Sequence, residues 1–347
     1  LALGSITRAA WIGTGSDQLM AAQTLLQALA DLTQALAPQS VRGRGLEACH
    51  RRSESLHAEL ARFLAAHGDG GEVSWVETHG QSFSLRLTPL DVAEHFQRSR
   101  AQHGRSWILT SATLAIEGRF DHLLQRLGLE TAETLALESP FDFAQNTLLY
   151  LPPALPAPSD GQFNEAYLQA VEPVLQASGG RAFMLFTSHR ALSVAAQWLR
   201  ARGWPDLLVQ GEAAQQQLLS RFRDSGQAVL LGTQSFWEGV DVRGPALSCV
   251  LIDRLPFASP ADPVLQARVE WLRAEGRNAF AEYQLPEAVI GLRQGVGRLI
   301  RDAADRGVLV LGDHRLISKG YGRQFRRSLP PMPLTQAFDD VAAFFAR

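Results

Sequence analysis

The first pattern along the chain is helical. Leu19, Leu25, Leu26, Leu29, Leu32 and Leu36 recur near the 3.6-residue period in an Ala- and Gln-rich stretch, which predicts a helix over 18–37 stopped by Pro38. A second amphipathic pattern covers 46–66 and ends before Gly68 and the Gly70–Gly71 pair. Ordinary packing accounts for both, and residues 1–70 read as a helical segment. From Glu72 the period changes. Val73, Trp75 and Val76, then 82–87, predict two strands turning near Gly80. A short helix over 89–96, a strand from Trp107 running into a small-polar loop, and a helix over 123–127 follow. Four prolines between Leu151 and Pro158 mark a loop or linker.

Beyond it, helices over 165–177, 191–202 and 215–223 alternate with short apolar runs at 182–186, 207–209, 228–231, 249–253 and 308–311. Continuous apolar strands separated by helices imply a parallel sheet covered on both faces, so the expected fold class is α/β. One more helix is expected over Pro286–Arg301. On it Gln294, Arg298 and Arg301 fall at i, i+4 and i+7, opposite Val289, Leu292, Val296 and Ile300. Two always-charged, planar guanidiniums on one face suit phosphate. A solvated helix face is the plainer reading of that stripe taken alone.

Composition narrows the classes. Apolar residues make up 46% and charged residues 20% of 347, the content of a globular protein with room for about two domains. No apolar run approaches the ~20 residues a bilayer crossing needs. Two distant cysteines, Cys49 and Cys249, cannot make a four-thiolate metal site and favour a cytoplasmic location. The net charge of −2 gives no global basic signature, although a local groove can still be basic. Lys319 is the only lysine and sits in Ile-Ser-Lys-Gly-Tyr, so the chain contains no Walker A loop. It contains no acidic box after an apolar strand either.

Ligands of open α/β sheets bind at loops after the strand carboxyl ends. Three such loops carry chemistry. Thr187-Ser-His-Arg190 opens a helix, where its hydroxyls can cap the helix or, with Arg190, hold a phosphate. Gly232-Thr-Gln-Ser-Phe-Trp-Glu-Gly-Val-Asp241 offers close backbone approach, and Glu238 and Asp241 as acceptors; Phe236 and Trp237 read as packing residues. Thr110-Ser-Ala-Thr113 offers hydroxyls that can couple neighbouring loops.

In that order, Ser-Ala-Thr, Phe-Trp-Glu-Gly-Val-Asp and Gln-x-x-Gly-Arg-x-x-Arg resemble motifs III, V and VI of superfamily 2 helicases. With Leu255-Pro-Phe257 and Thr187-Ser-His-Arg190 they resemble the XPD/DinG-like DNA helicases, the bacterial YoaA type in particular. The resemblance covers roughly residue 72 onward; 1–70 fit more loosely the helical Arch insertion. It implies an Arch-like segment (1–70), the last strands of a first RecA-like domain (71–134), and a second RecA-like domain (135–347). Walker A, Walker B and the cysteines of a 4Fe-4S cluster, all upstream of the Arch in that family, are missing. Truncation of a longer helicase is the expected cause, and the chain alone is expected to be inactive as an ATPase.

The resemblance also assigns roles. Gln294, Arg298 and Arg301 would serve the γ-phosphate of ATP with Mg2+, one arginine acting as a finger. Asp241, Glu238, Gly239 and Gly297 would line the nucleotide site. Thr187, Ser188, Arg190 and Thr233 would touch DNA, and Thr110, Ser111 and Thr113 would couple nucleotide state to it. The implied activity is ATP-dependent unwinding of single-stranded or forked DNA, 5′ to 3′, in repair or replication. The terminal helix with Phe338, Val341, Phe344 and Phe345 packs on its own domain or docks a partner, the χ subunit of DNA polymerase III by resemblance. A non-catalytic adaptor that docks DNA or a replication protein is the rival.

Overall fold

The computed structural model describes residues 7–11, 17–66, 71–79, 82–233, 236, 242 and 244–347, which form two compact units.

The first unit joins the N-terminal third to residues 258–280. Strand β1 (Thr7–Ala10) is followed by α1 (Asp17–Leu36), a 3-10 turn (Ala37–Arg42) that begins beside Pro38, and α2 (Arg44–Ala65). Strands β2 (Glu72–His79) and β3 (Ser82–Pro89) complete an antiparallel sheet of order β1-β2-β3. Residues 1–70 are therefore not wholly helical. All four β1 residues are exposed, so no apolar alternation announces the strand; backbone pairing with 75–78 makes it. The core here is small: Trp11, Ala22, Leu60 and Phe63, with the Trp11 and Phe63 rings edge-on at 5.2 Å. Helix α3 (Ala93–His103) starts later than its sequence suggests and buries no residue.

In the second unit, α4 (Asp121–Leu127) belongs partly to the segment 107–125 and precedes α5 (Phe143–Asn146) and β4 (Thr147–Tyr150). Then come α6 (Phe163–Ala177), β5 (Ala182–Phe186), α7 (His189–Ala201), β6 (Leu207–Val209), α8 (Gln215–Ser225), β7 (Val229–Thr233) and β8 (Cys249–Ile252). After α9 (Pro263–Ala274), which lies in the first unit, follow α10 (Leu285–Val296), β9 (Gly307–Leu311), α11 (Arg315–Ser318), α12 (Gly322–Ser328), β10 (Leu334–Thr335) and α13 (Phe338–Phe345). The sheet has seven strands in the order β10-β4-β9-β8-β5-β7-β6, every neighbouring pair parallel.

The period of two explains the layers. Phe183, Leu185, Leu230, Val250, Ile252, Leu309 and Leu311 point to one face, against Phe222 of α8 and Leu285, Val289 and Leu292 of α10. Ala182, Met184, Phe186, Val229, Leu231, Cys249, Leu251, Val308 and Val310 point to the other, against α6 and α7. Both faces are sealed, which is why these strands read as unbroken apolar runs. Phe163, Tyr167 and Phe222 are at most 1% exposed, and burying each such ring contributes about 1.5–3 kcal/mol. Pro173 sits inside α6 without ending it. Gly180 has a positive φ, and a Cβ there would strike the Gln227 carbonyl, so only glycine makes that turn.

Val341 of α13 is fully buried, and Phe338, Phe344 and Phe345 pack on the α6–α7 face. The terminal aromatic stripe is thus spent on its own domain. Residues 107–111 carry no β ladder, contrary to the sequence expectation; Ile108 is 89% exposed. Among the described residues no helix is long and apolar enough to cross a membrane.

Candidate functional site

Strand order decides where a ligand would sit. The chain leaves β5 toward β6 on one side, and leaves β8 toward β9 on the other, although β5 and β8 are neighbours. At such a divergence the loops separate and open a crevice at the carboxyl ends.

Thr187 follows β5, and Asp253 follows β8. The Thr187 N–H donates to Asp253 Oδ1 at 3.0 Å, and the Arg254 N–H donates to the same oxygen at 2.7 Å. Asp253 is 1% exposed. Burial pushes its carboxyl up to about 6, against the opposing pull of Arg254 and the hydrogen bonds from Thr187 and Arg254. Arg254 is held in turn: Nη1 to Asp253 at 3.1 Å, Nη2 to Asn164 Oδ1 at 2.8 Å, Nε to the Pro158 carbonyl at 3.2 Å, and its guanidinium 4.3 Å over Phe163. Ser188 Oγ accepts from the Ala191 N–H at 3.1 Å and caps α7. Of the candidate strand-binding residues here, Thr187 is therefore tied inward and Ser188 caps. His189 and Arg190 are the exposed side chains of that first turn.

The next loop is partly outside the described residues. Glu238, Gly239 and Asp241 all fall there, as does Trp237. Phe236 and Val242 are both buried in the core, a packing role. Thr233 is buried, and both its N–H and its hydroxyl donate to Gln210 Oε1, at 2.6 and 3.1 Å.

The arginine motif departs from its expected geometry. Helix α10 ends at Val296, with Gly297 as an αR C-cap. Gln294 lies in its last turn, but Arg298 and Arg301 lie in the turns beyond, so no three-residue helical stripe exists. The physical reason is Asp305. Its Oδ2 accepts from the Arg301 N–H at 2.7 Å and the Asp302 N–H at 2.8 Å, donors that a continuing helix would have turned to its own carbonyls. Oδ1 accepts from the Gly244 N–H at 3.1 Å, so one buried carboxylate clamps the arginine turn to the loop leading into β8. Leu299 and Ile300 are turned into the core, leaving Arg298 and Arg301 partly exposed around them.

Arg293, one residue before the motif, reaches the small-polar loop. Its Nη2 donates to the Ala112 carbonyl at 2.7 Å and its Nη1 to the Ala115 carbonyl. Burial lowers its pKa below the usual arginine value. Within that loop the Thr113 N–H and hydroxyl lie 3.2 Å from Ser111 Oγ, while Thr110 is exposed. Helix α10 thus holds the Thr110–Thr113 segment through Arg293, a residue the sequence reading passed over. Asp253, Asp305 and Gln210 were missed as well. Only a rule that a carboxylate just past an apolar strand caps the next loop would have found Asp253; Asp305 and Gln210 carry no local signal.

Among the described residues no group of three or more His, Cys, Asp and Glu is arranged to hold a metal. Cys249 is fully buried, with its thiol pushed up by desolvation, and Cys49 is a single exposed thiol. These two thiols do not fit a 4Fe-4S cluster, which needs four.

A seven-stranded parallel sheet sealed by helices on both faces, with capped loops at a divergence of strand order, is a RecA-like α/β fold. Residues 171–332 match the helicase C-terminal domain family. The chain is 44% identical over 332 residues to the ATP-dependent DNA helicase YoaA of Escherichia coli (strain K12), covering 95% of this chain and 52% of that protein. It is 39% identical over 343 residues to the YoaA of Haemophilus influenzae (strain ATCC 51907 / DSM 11121 / KW20 / Rd), covering 98% and 53%. An XPD helicase structure matches the fold with a TM-score of 0.60 at 16% identity, covering 95% of this chain and 57% of the other. The chain is similar to the XPD/DinG-like helicases, and it spans about half the length of the relatives it matches.

Proposed function

We propose that this chain supplies the second RecA-like half of an ATP-dependent DNA helicase. The observation that carries the reading is the Asp305 clamp: it fixes Arg301 to the loop leading into β8, on a sheet whose relatives are named ATP-dependent DNA helicases. In this reading ATP with Mg2+ is the nucleotide, and Arg298 and Arg301 meet its γ-phosphate, one as an arginine finger. Gln294 orients the attacking water or the phosphate. Asp241, Glu238, Gly239 and Gly297 border the nucleotide. Arg190, on the capped first turn of α7, meets single-stranded or forked DNA, with Thr187, Ser188 and Thr233 shaping its loop. Thr110, Ser111 and Thr113, held by Arg293, couple the two ligands.

The same reading makes the helicase 5′ to 3′ in polarity, cytoplasmic, and a servant of repair or replication. It assigns 71–134 to strands of a first RecA-like domain; the exposure of Ile108 and Leu109 suits a segment that pairs into another sheet. Docking of χ through α13 gains no support, because the aromatic residues of that helix pack on its own domain.

The test is Arg301→Ala in the full-length protein. Hydrolysis of ATP is expected to be lost while single-stranded DNA binding persists. Turnover near that of the unaltered protein would sink the finger assignment, and an unaltered full-length protein that binds DNA without hydrolysing ATP would leave the adaptor.

A further inference from the structure

Between Asp313 and Asp339 the chain carries Arg315, Lys319, Arg323, Arg326 and Arg327 and no carboxylate. Arg315 is neutralised: its Nη2 lies 2.6 Å from Asp313 Oδ2, and that hydrogen bond raises its pKa. The other four cations are exposed, and none makes an ion pair with a described carboxylate. Helix α12 sorts them by face. Gly322, Phe325 and Ser328 are buried, whereas Arg323, Arg326 and Arg327 sit at i, i+3 and i+4 and share the outward face. Lys319 precedes them in the connection from α11. Like charges at those spacings oppose a helix by a few tenths of a kcal/mol per pair. A cluster kept at that cost, on a chain of net charge −2, is a local positive surface rather than a general one.

The cluster is rigidly seated. Tyr321 and Phe325 pack on Phe257, at 5.9 and 5.8 Å between ring centroids, and Phe257 lies in the loop after β8. A Cβ at Gly322 would run into the carbonyls of Arg315 and Leu316, so α12 is drawn tightly onto α11. The basic face therefore issues from the carboxyl edge of the sheet, the edge that also carries Arg190. Its exposed charged groups are cations, with no exposed aromatic ring on α12 for base stacking, which suits phosphate contact without sequence readout.

We propose that Lys319, Arg323, Arg326 and Arg327 form a second phosphate-binding face for single-stranded DNA, distinct from the turn that carries Arg190. The inference rests on the DNA-helicase reading above and extends it. The experiment measures binding of fluorescein-labelled oligo-dT by anisotropy across a KCl series, in the unaltered protein and in the combined variant Lys319→Gln, Arg323→Gln, Arg326→Gln, Arg327→Gln. Each cation that neutralises a phosphate contributes about 0.7 to the slope of log K against log salt on single strands. The combined variant is expected to flatten that slope by about 2 to 3, and Arg323→Gln or Arg326→Gln alone by about 0.7. An unchanged slope and affinity in a variant that melts like the unaltered protein overturns the proposal while leaving the helicase reading intact. Loss of binding to anionic phosphatidylserine vesicles with DNA binding untouched also overturns it. Failure of the unaltered protein to bind oligo-dT at all sinks the underlying reading instead.

Discussion

Two acidic side chains, one in each unit, lie beside arginines and shift in opposite directions. Glu77, on the antiparallel sheet, lies 3.1 Å from Arg8 and 3.2 Å from Arg86. Burial pushes its carboxyl up, but the two arginines pull harder and leave it lowered. Asp253, at the carboxyl edge of the parallel sheet, has one arginine and two backbone donors, and burial wins. The number of cations and the depth of the site decide the sign. The first unit spends its charges on pairs whose arginines are half-exposed, beside a small core. The second buries Asp253, Asp305 and Asp313 to pin loops. Functional loops need fixed backbones, and a buried acceptor facing several N–H groups fixes them at the cost of desolvation.

The largest test of this contrast is Arg301→Ala, expected to lower hydrolysis by about 10³–10⁵-fold in the full-length protein, measured as steady-state phosphate release. Next comes Asp305→Ala. It strands the N–H groups of Arg301, Asp302 and Gly244, each unsatisfied donor costing about 1–3 kcal/mol. Urea unfolding should show a loss of roughly 3 kcal/mol or more, with Asp305→Asn recovering part of it. Full stability in Asp305→Ala would remove the clamp from the account.

Asp253→Asn tests the sign through pH. A carboxyl raised from 3.8 to about 6 binds its proton more tightly in the folded state, so its ionisation costs stability as pH rises through that window. The variant cannot ionise there. Its stability relative to the unaltered protein should therefore climb by about 3 kcal/mol between about pH 4 and pH 6 and level off above; a flat difference would show that Asp253 is not raised. Glu77, lowered, has the opposite sense: its contribution is present above the ordinary glutamate range and lost as pH falls below it. Last, Arg62→Ala in the first unit removes a surface pair with Glu72 and should cost under about 1 kcal/mol by the same unfolding measurement.

Much of the fold was legible in advance. The runs 182–186 and 207–209 are strands to the residue, and 249–252 and 307–311 nearly so, because strands sealed on both faces must be apolar throughout. Strand β1 was not legible, since its four exposed residues carry no alternation and only pairing with β2 creates it. Helix α9 was not assigned at all, although Asp262 caps it and Pro263 begins it. The candidate site was half legible. Arg298 and Arg301 stand out as residue types at a spacing, but the spacing suggested a helix that the chain does not form.

The sequence alone determined the alternation of strand and helix, the two sealed faces, and the order of the three motif segments, because these follow from hydrophobic period and residue identity. Tertiary structure decided the rest. A local pattern cannot say that Asp305 will reach the backbone of Arg301 and Gly244, that Arg293 will take the carbonyls of Ala112 and Ala115, or that Asp253 will hold Thr187. Apart from the short step from Asp305 to Arg301, these contacts join residues 61 to 181 positions apart. They exist only once the sheet has brought its carboxyl ends together, where burial makes each unpaired polar group costly enough to demand its partner.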